Sequence, residues 1–107
     1  MFTRIVEVTA KAGGSHELAN TIREKVLPIL QKQNGFVDEI VLVSETEPGR
    51  VVAQSFWNKQ EDAERYQNKA FKTVREAIDP MIEGEPLVRT FSVHHSTLHK
   101  IAAGKAA

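Results

Sequence analysis

Cysteine is absent from this 107-residue chain. That removes disulfide frameworks, iron–sulfur clusters, thiolate nucleophiles and cysteine-based zinc sites in one step. A surplus of either charge is missing too, since 14 Lys and Arg balance 14 Asp and Glu. Proteins that hold polyanions draw most of their non-specific affinity from a basic excess, so no nucleic-acid partner is expected. The N-terminal MFTRIVEVTAKAGG holds no apolar run long enough for a signal peptide or a membrane span, and a cytoplasmic protein without a membrane partner is the reading. The chain also lacks G-x-G-x-x-G, G-x-x-x-x-G-K-S/T, G-x-S-x-G and H-E-x-x-H. Gly13-Gly14 ahead of a helix reads as a turn rather than an anion-binding loop, and no cofactor is expected.

What is present suits one folded domain. Hydrophobic residues make up 41% and charged residues 26%, near the globular average, and the length holds a single core. Residues 2–10 read as a strand, with Phe2, Val6 and Val8 on one face and Thr3, Ile5, Glu7 and Thr9 on the other. Ser15 is a natural N-cap for a helix over 16–33, whose apolar stripe is Leu18, Ile22, Val26, Ile29 and Leu30. Pro28 predicts a kink or a loosened last turn, and Asn34-Gly35 a stop. Residues 36–45 and 51–57 read as strands joined by the turn Glu47-Pro48-Gly49-Arg50. Asn58, with Glu61 three residues on, predicts a capped second helix with Ala63, Tyr66, Ala70, Val74, Ala77 and Ile78 buried. Asp79-Pro80 ends it, Gly84-Glu85-Pro86 reads as a loop, and residues 87–95 form the last strand. The small, polar stretch 96–107 is expected to be a partly mobile tail or to reach a partner subunit.

The order β-α-β-β-α-β is the split, ferredoxin-like α+β arrangement, with both helices on one face of a four-stranded antiparallel sheet. IVLV, VVA and FSV put apolar side chains on both sheet faces, whereas a monomeric sheet with helices on one side should alternate apolar and polar. A second copy packing sheet on sheet would cover the excess, so a homodimer is predicted.

Three stretches carry a family likeness. They are Gln33-Asn34-Gly35-Phe36, the strand ending Ser55-Phe56-Trp57, and the following Asn58 to Tyr66, NKQEDAERY. Together they resemble the antibiotic biosynthesis monooxygenase (ABM) domain, in which Gly-Phe opens the second strand and Trp closes the third ahead of an acidic helix start. The resemblance spans about residues 2–95 and implies a dimeric α/β barrel, an ABM-like domain over 1–95, and a pocket between sheet and helices in each subunit. It also implies oxygenase chemistry on polycyclic phenols without flavin, haem or metal, because an electron-rich phenolate can itself pass an electron to O₂. The haem-degrading members are similar in fold but carry Asn in the first strand, Trp within the second helix and a His about ten residues later. This chain has Val6 and Glu7, Tyr66, and Val74-Arg75 at those places, so haem degradation is not expected.

Several residues are candidates for the site. Tyr66 lies on a buried stripe, where its hydroxyl needs a partner or could bind a substrate oxygen. Trp57 either packs the strand–helix junction or touches substrate. Val74 lies on the same stripe as Tyr66. Arg89 shares a strand face with Leu87, Phe91 and Val93, where it either pairs with Glu7 or stabilises a phenolate. His94 or His95 is expected to point into the sheet–helix space, and a neutral imidazole, with an ordinary pKa of about 6.5, suits proton abstraction from a phenol. His95 and His99 have i, i+4 spacing, but that spacing holds a metal only on a helix, and no metal is expected. Catalytic candidates are thus His94, His95 and Tyr66, and substrate-binding candidates Trp57, Arg89, Phe91 and Val74. Two functions of different class follow: a cofactor-independent oxidoreductase acting on an aromatic or quinone-like small molecule, or a non-catalytic dimer that binds a small apolar ligand.

Overall fold

The computed structural model describes residues 1–98. His99 and the tail beyond it lie outside the described residues. Four strands form one antiparallel sheet in the order β2-β3-β1-β4, from β1 (Phe2–Ala10), β2 (Phe36–Val43), β3 (Arg50–Trp57) and β4 (Ile82–Ser92). Between β1 and β2 run α1 (Ser15–Thr21), a π-helical stretch over Ile22–Val26, and α2 (Leu27–Gln31). Between β3 and β4 run α3 (Gln60–Asn68), α4 (Phe71–Ile78) and a 3-10 turn over Asp79–Met81. This is the ferredoxin-like arrangement predicted from element order.

The register sorts side chains into two faces. Arg4, Val6 and Val8 of β1 stand beside Ser55, Ala53 and Val51 of β3 on the helix side. On the outer side, Leu42, Val52, Glu7 and Leu87 form one row across the sheet, and Asp38, Phe56, Thr3 and Phe91 another. The core lies under the helices, where Leu18, Val51 and Trp57 are fully buried. The outer face leaves Ile40, Leu42, Leu87 and Phe91 exposed.

Local signals moved by a few residues in several places. Ser15 is the first residue of α1; Gly14 is its cap, without a side-chain hydrogen bond. Pro28 opens α2 rather than loosening a last turn, and the irregularity lies ahead of it, where Leu27 N–H bonds Ile22 O five residues back. A proline ring crowds the carbonyl four residues before it, and the widened turn relieves that clash. The same turn serves packing. Leu18, Ile22, Val26 and Leu30 recur every fourth residue, a stripe that drifts by about 40° per step on a regular α-helix, yet all four are buried.

The second helix is capped by Lys59, not Asn58, with no side-chain cap bond. It breaks at Lys69, where the backbone (φ −120°, ψ −68°) leaves helical geometry. The break turns Phe71 inward together with Tyr66 and Val74. β4 starts at Ile82, five residues earlier than predicted, because Gly84-Glu85-Pro86 is a bulge opposite Val8 rather than a loop: Glu7 pairs with Leu87 and Thr9 with Glu83. Gly84 supplies the positive φ (68°) and Pro86 the missing donor that an edge-strand bulge tolerates.

Candidate functional site

Arg4 from β1, Glu39 from β2, Ser55 from β3 and Tyr66 from α3 meet between sheet and helices, around a cavity of about 30 Å³. Its remaining walls are apolar, among them Val6, Ile22, Val26, Phe71 and Val74. The volume is room for about two waters. Two wider clefts adjoin it. One, of about 300 Å³, lies between α3 and β4 and shares Arg4 with the cavity; the other, of about 320 Å³, lies between α1 and β2 and shares Glu39.

Arg4 is 3% exposed. Its guanidinium lies over the ring of Phe71 at 4.2 Å and that of Tyr66 at 5.2 Å, and Nη2 donates to Gln67 Oε1. Burial pulls its pKa below the ordinary arginine value, while the nearby Tyr66 acts the other way. Glu39 makes no side-chain hydrogen bond or ion pair among the described residues. Burial in an apolar strand face raises its pKa to about 7, and Asp38 next to it adds to the rise. Near neutral pH this carboxyl is divided between its two protonation states, which is what a general base needs. Burial likewise raises the Tyr66 hydroxyl to about 12, with Arg4 opposing and Glu39 adding. Tyr66 is therefore a neutral donor at working pH.

The candidate residues from the sequence divide between cavity, core and surface. Tyr66 and Val74 line the cavity. Trp57 does not; it is fully buried behind Tyr66, 5.3 Å from that ring and 5.6 Å from Phe36, with Nε1 donating to Ser55 Oγ at 2.9 Å. Arg89 and Phe91 lie on the outer sheet face, where Arg89 Nη2 donates to Glu7 Oε2 at 2.9 Å. Adding Arg50 Nη1, 3.8 Å from the same oxygen, gives Glu7 two cations. His94 and His95 are exposed beyond the end of β4 and do not line the cavity, so neither points into the sheet–helix space within the protomer. The physical reason is that β4 ends at Ser92 and the alternation that would aim one imidazole inward ends with it.

Arg4, Glu39 and Phe71 escaped the sequence reading, although the first two left a signal there. Arg4 alternates with Phe2, Val6 and Val8, and Glu39 with Val41 and Val43. A charge on the apolar face of a strand is costly without a partner, and each is therefore a candidate by position alone. Phe71 left no such signal, because its inward direction depends on the helix break at Lys69. Among the described residues no cluster of three His, Asp or Glu could hold a metal ion, and no helix is long and apolar enough to cross a membrane.

Comparison with known proteins agrees with the architecture. No curated protein matches the chain. SnoaB of Streptomyces nogalater, a cofactor-independent oxygenase, is 14% identical with a TM-score of 0.74, over 91% of this chain and 96% of that one. A monooxygenase from the gene ActVA-Orf6 of Streptomyces coelicolor, solved with the ligand nanaomycin D, is 18% identical with a TM-score of 0.73, over 91% and 90%. A protein of unknown function from Nitrosomonas europaea is 15% identical with a TM-score of 0.74, over 91% and 92%. At these identities the likeness is one of fold. Residues 1–79 match the family described as antibiotic biosynthesis monooxygenase, and the chain, which shares that fold along most of its length, belongs to that family.

Proposed function

We propose that the protein is a cofactor-independent monooxygenase that oxidises an aromatic or quinone-like small molecule between its sheet and its helices. The observation that carries this reading is the meeting of Glu39, Tyr66, Arg4 and Ser55 in an otherwise apolar cavity. Glu39 takes a proton from an acidic phenol or anthrone-type carbon, and Tyr66 donates a hydrogen bond to the substrate oxygen that gathers the charge. The carbanion or phenolate passes an electron to O₂, and the two radicals combine into a peroxide at carbon. Loss of water then leaves a carbonyl. In sum, CH₂ and O₂ become C=O and H₂O, with every electron drawn from the substrate. Apolar walls exclude bulk water and so strengthen each polar contact inside. Trp57 holds the Tyr66 ring from behind, and His94 and His95, outside the cavity, take no part in these steps.

Pockets for drug-sized ligands span about 300–1,000 Å³, so an aromatic guest needs the central cavity to join one of its flanking clefts. The irregular turn at Ile22–Val26, which supplies two cavity walls, is the place for the helix to give. The working form is a cytoplasmic homodimer in which two outer sheet faces cover Ile40, Leu42, Leu87 and Phe91. Oxygen uptake with a panel of anthrones and hydroquinones tests the activity. Uptake above background that is lost in Glu39→Gln and reduced in Tyr66→Phe is expected; no consumption of any panel member ends the proposal.

The small volume of the cavity favours one second reading, a dimer that sequesters an apolar metabolite without turning it over. Native mass spectrometry of purified protein separates the two, because a retained and unaltered ligand supports storage. A Soret shift on haem titration would point instead to haem binding by residues outside the pattern of the haem-degrading relatives.

A further inference from the structure

Six arginines occur in the chain. Arg23, Arg50, Arg65, Arg75 and Arg89 each pair with a carboxylate, and all are surface or half-buried residues. Arg4, the buried one, has no ion pair among the described residues. Of its five N–H bonds, only Nη2 finds an acceptor among the described residues, the Gln67 amide oxygen, and Nε is buried with none there. Cation–π contact with Phe71 and Tyr66 and one hydrogen bond to a neutral amide are weak beside the cost of desolvating a guanidinium. The packing seen in the protomer does not offset the burial. An anion would.

The cleft between α3 and β4 leads to this cation. Phe2, Ala63 and Val88 give it an apolar floor, Gln67 and Thr90 polar lips, and Arg4 its inner end. Glu64 stands at the rim, exposed, accepting from Gln60 Nε2 at 2.8 Å. Water screens that rim carboxylate, while Arg4 acts through a drier medium. Together they favour a single negative charge over a phosphate-like dianion. The fork of the guanidinium also matches the two oxygens of a carboxylate.

We propose that the cleft between α3 and β4 is the substrate entrance, and that it receives a planar aromatic monoanion whose carboxylate or phenolate oxygen binds Arg4. This deepens the oxygenase reading, on which it rests for the chemistry that follows binding. Gln67, at the lip of the cleft, accepts from Arg4 Nη2.

Titration calorimetry with 2-naphthoate and its neutral isostere 2-naphthamide tests the docking step, since neither ligand need be oxidised. The wild-type protein should bind the carboxylate roughly ten-fold or more tightly than the amide. Arg4→Met should abolish that preference while keeping or raising the melting temperature, because it removes an uncompensated buried charge. Val88→Trp, at the cleft wall where Val88 is 37% exposed, should weaken both ligands and leaves Arg4 in place. Equal affinities in the wild type, binding of neither ligand, or an Arg4→Met variant that still prefers the carboxylate would each overturn the proposal. If Arg4→Met does not fold, Val88→Trp decides, and undiminished binding counts against the cleft. Oxygen uptake can fail while this discrimination persists, so loss of the oxygenase reading and loss of the docking site give different results.

Discussion

Glu39 sits on an apolar strand face with no cation bonded to its carboxylate among the described residues, and its pKa is raised from 4.5 to about 7 by burial first and by Asp38 second. Between those values the unfolded chain releases a proton that the native state keeps, so stability falls as pH rises through that window and levels off above it. Glu39→Gln removes the penalty. The variant should match the wild type near pH 4 and exceed it by up to about 3 kcal/mol near pH 8, as read by urea melts at the two pH values. Greater stability with lost oxygen uptake is the combination expected where a strained site serves a reaction. Trp57 behaves in the opposite sense. Fully buried between Phe36 and Tyr66 with its indole N–H satisfied, it is structural, and Trp57→Ala should cost about 3–5 kcal/mol in a urea melt.

Among the elements, the junctions matter more than the regular stretches. Gly35 joins α2 to β2 with φ +82°, and a Cβ there would overlap the Asp62 carboxylate at the start of α3. Its carbonyl also accepts from Asn58 N–H at 2.8 Å, tying the entry of β2 to the exit of β3. Gly35→Ala therefore meets both a backbone penalty of roughly 1–3 kcal/mol and a clash. A fall in the midpoint of denaturation larger than that of an Ala substitution at exposed Gly13, which has open space around it, is the expected result. The Glu47-Pro48-Gly49-Arg50 hairpin follows the same logic, with Pro48 and Gly49 at the central positions of a type II turn and Gly49 at φ +79°.

The molecule as a whole presents one sheet face to the helices and one to solvent. On the outer face Leu42 is 51% exposed, Leu87 49% and Phe91 48%, and the Arg89–Glu7–Arg50 cluster lies among them. A homodimer through this face predicts a sedimenting mass of twice the 12.0 kDa chain. It predicts also that Leu42→Glu with Phe91→Glu yields a folded monomer with an unchanged far-ultraviolet spectrum. Both substitutions point away from the core beneath the helices, so dissociation without unfolding is the outcome that identifies the interface. A wild-type protomer of single chain mass would leave the working form without its second copy.

Element order, strand faces and the family were legible in the chain itself, because period-two and period-four apolar spacing and short turn signals act locally. Tyr66 and Val74 were likewise visible as members of a helical stripe. The remainder was set by contacts distant in sequence. Three strands and a helix must come together before Arg4, Glu39, Ser55 and Tyr66 surround one space, and only then does burial change what Glu39 and Arg4 can do. Gly84-Glu85-Pro86 spells a loop, yet pairing with β1 draws it into β4 as a bulge. His94 and His95 spell a proton acceptor, yet the end of β4 leaves both outside the cavity. Local spacing determines which residues share a face; desolvation and proximity, which make a site of them, exist only in the folded chain.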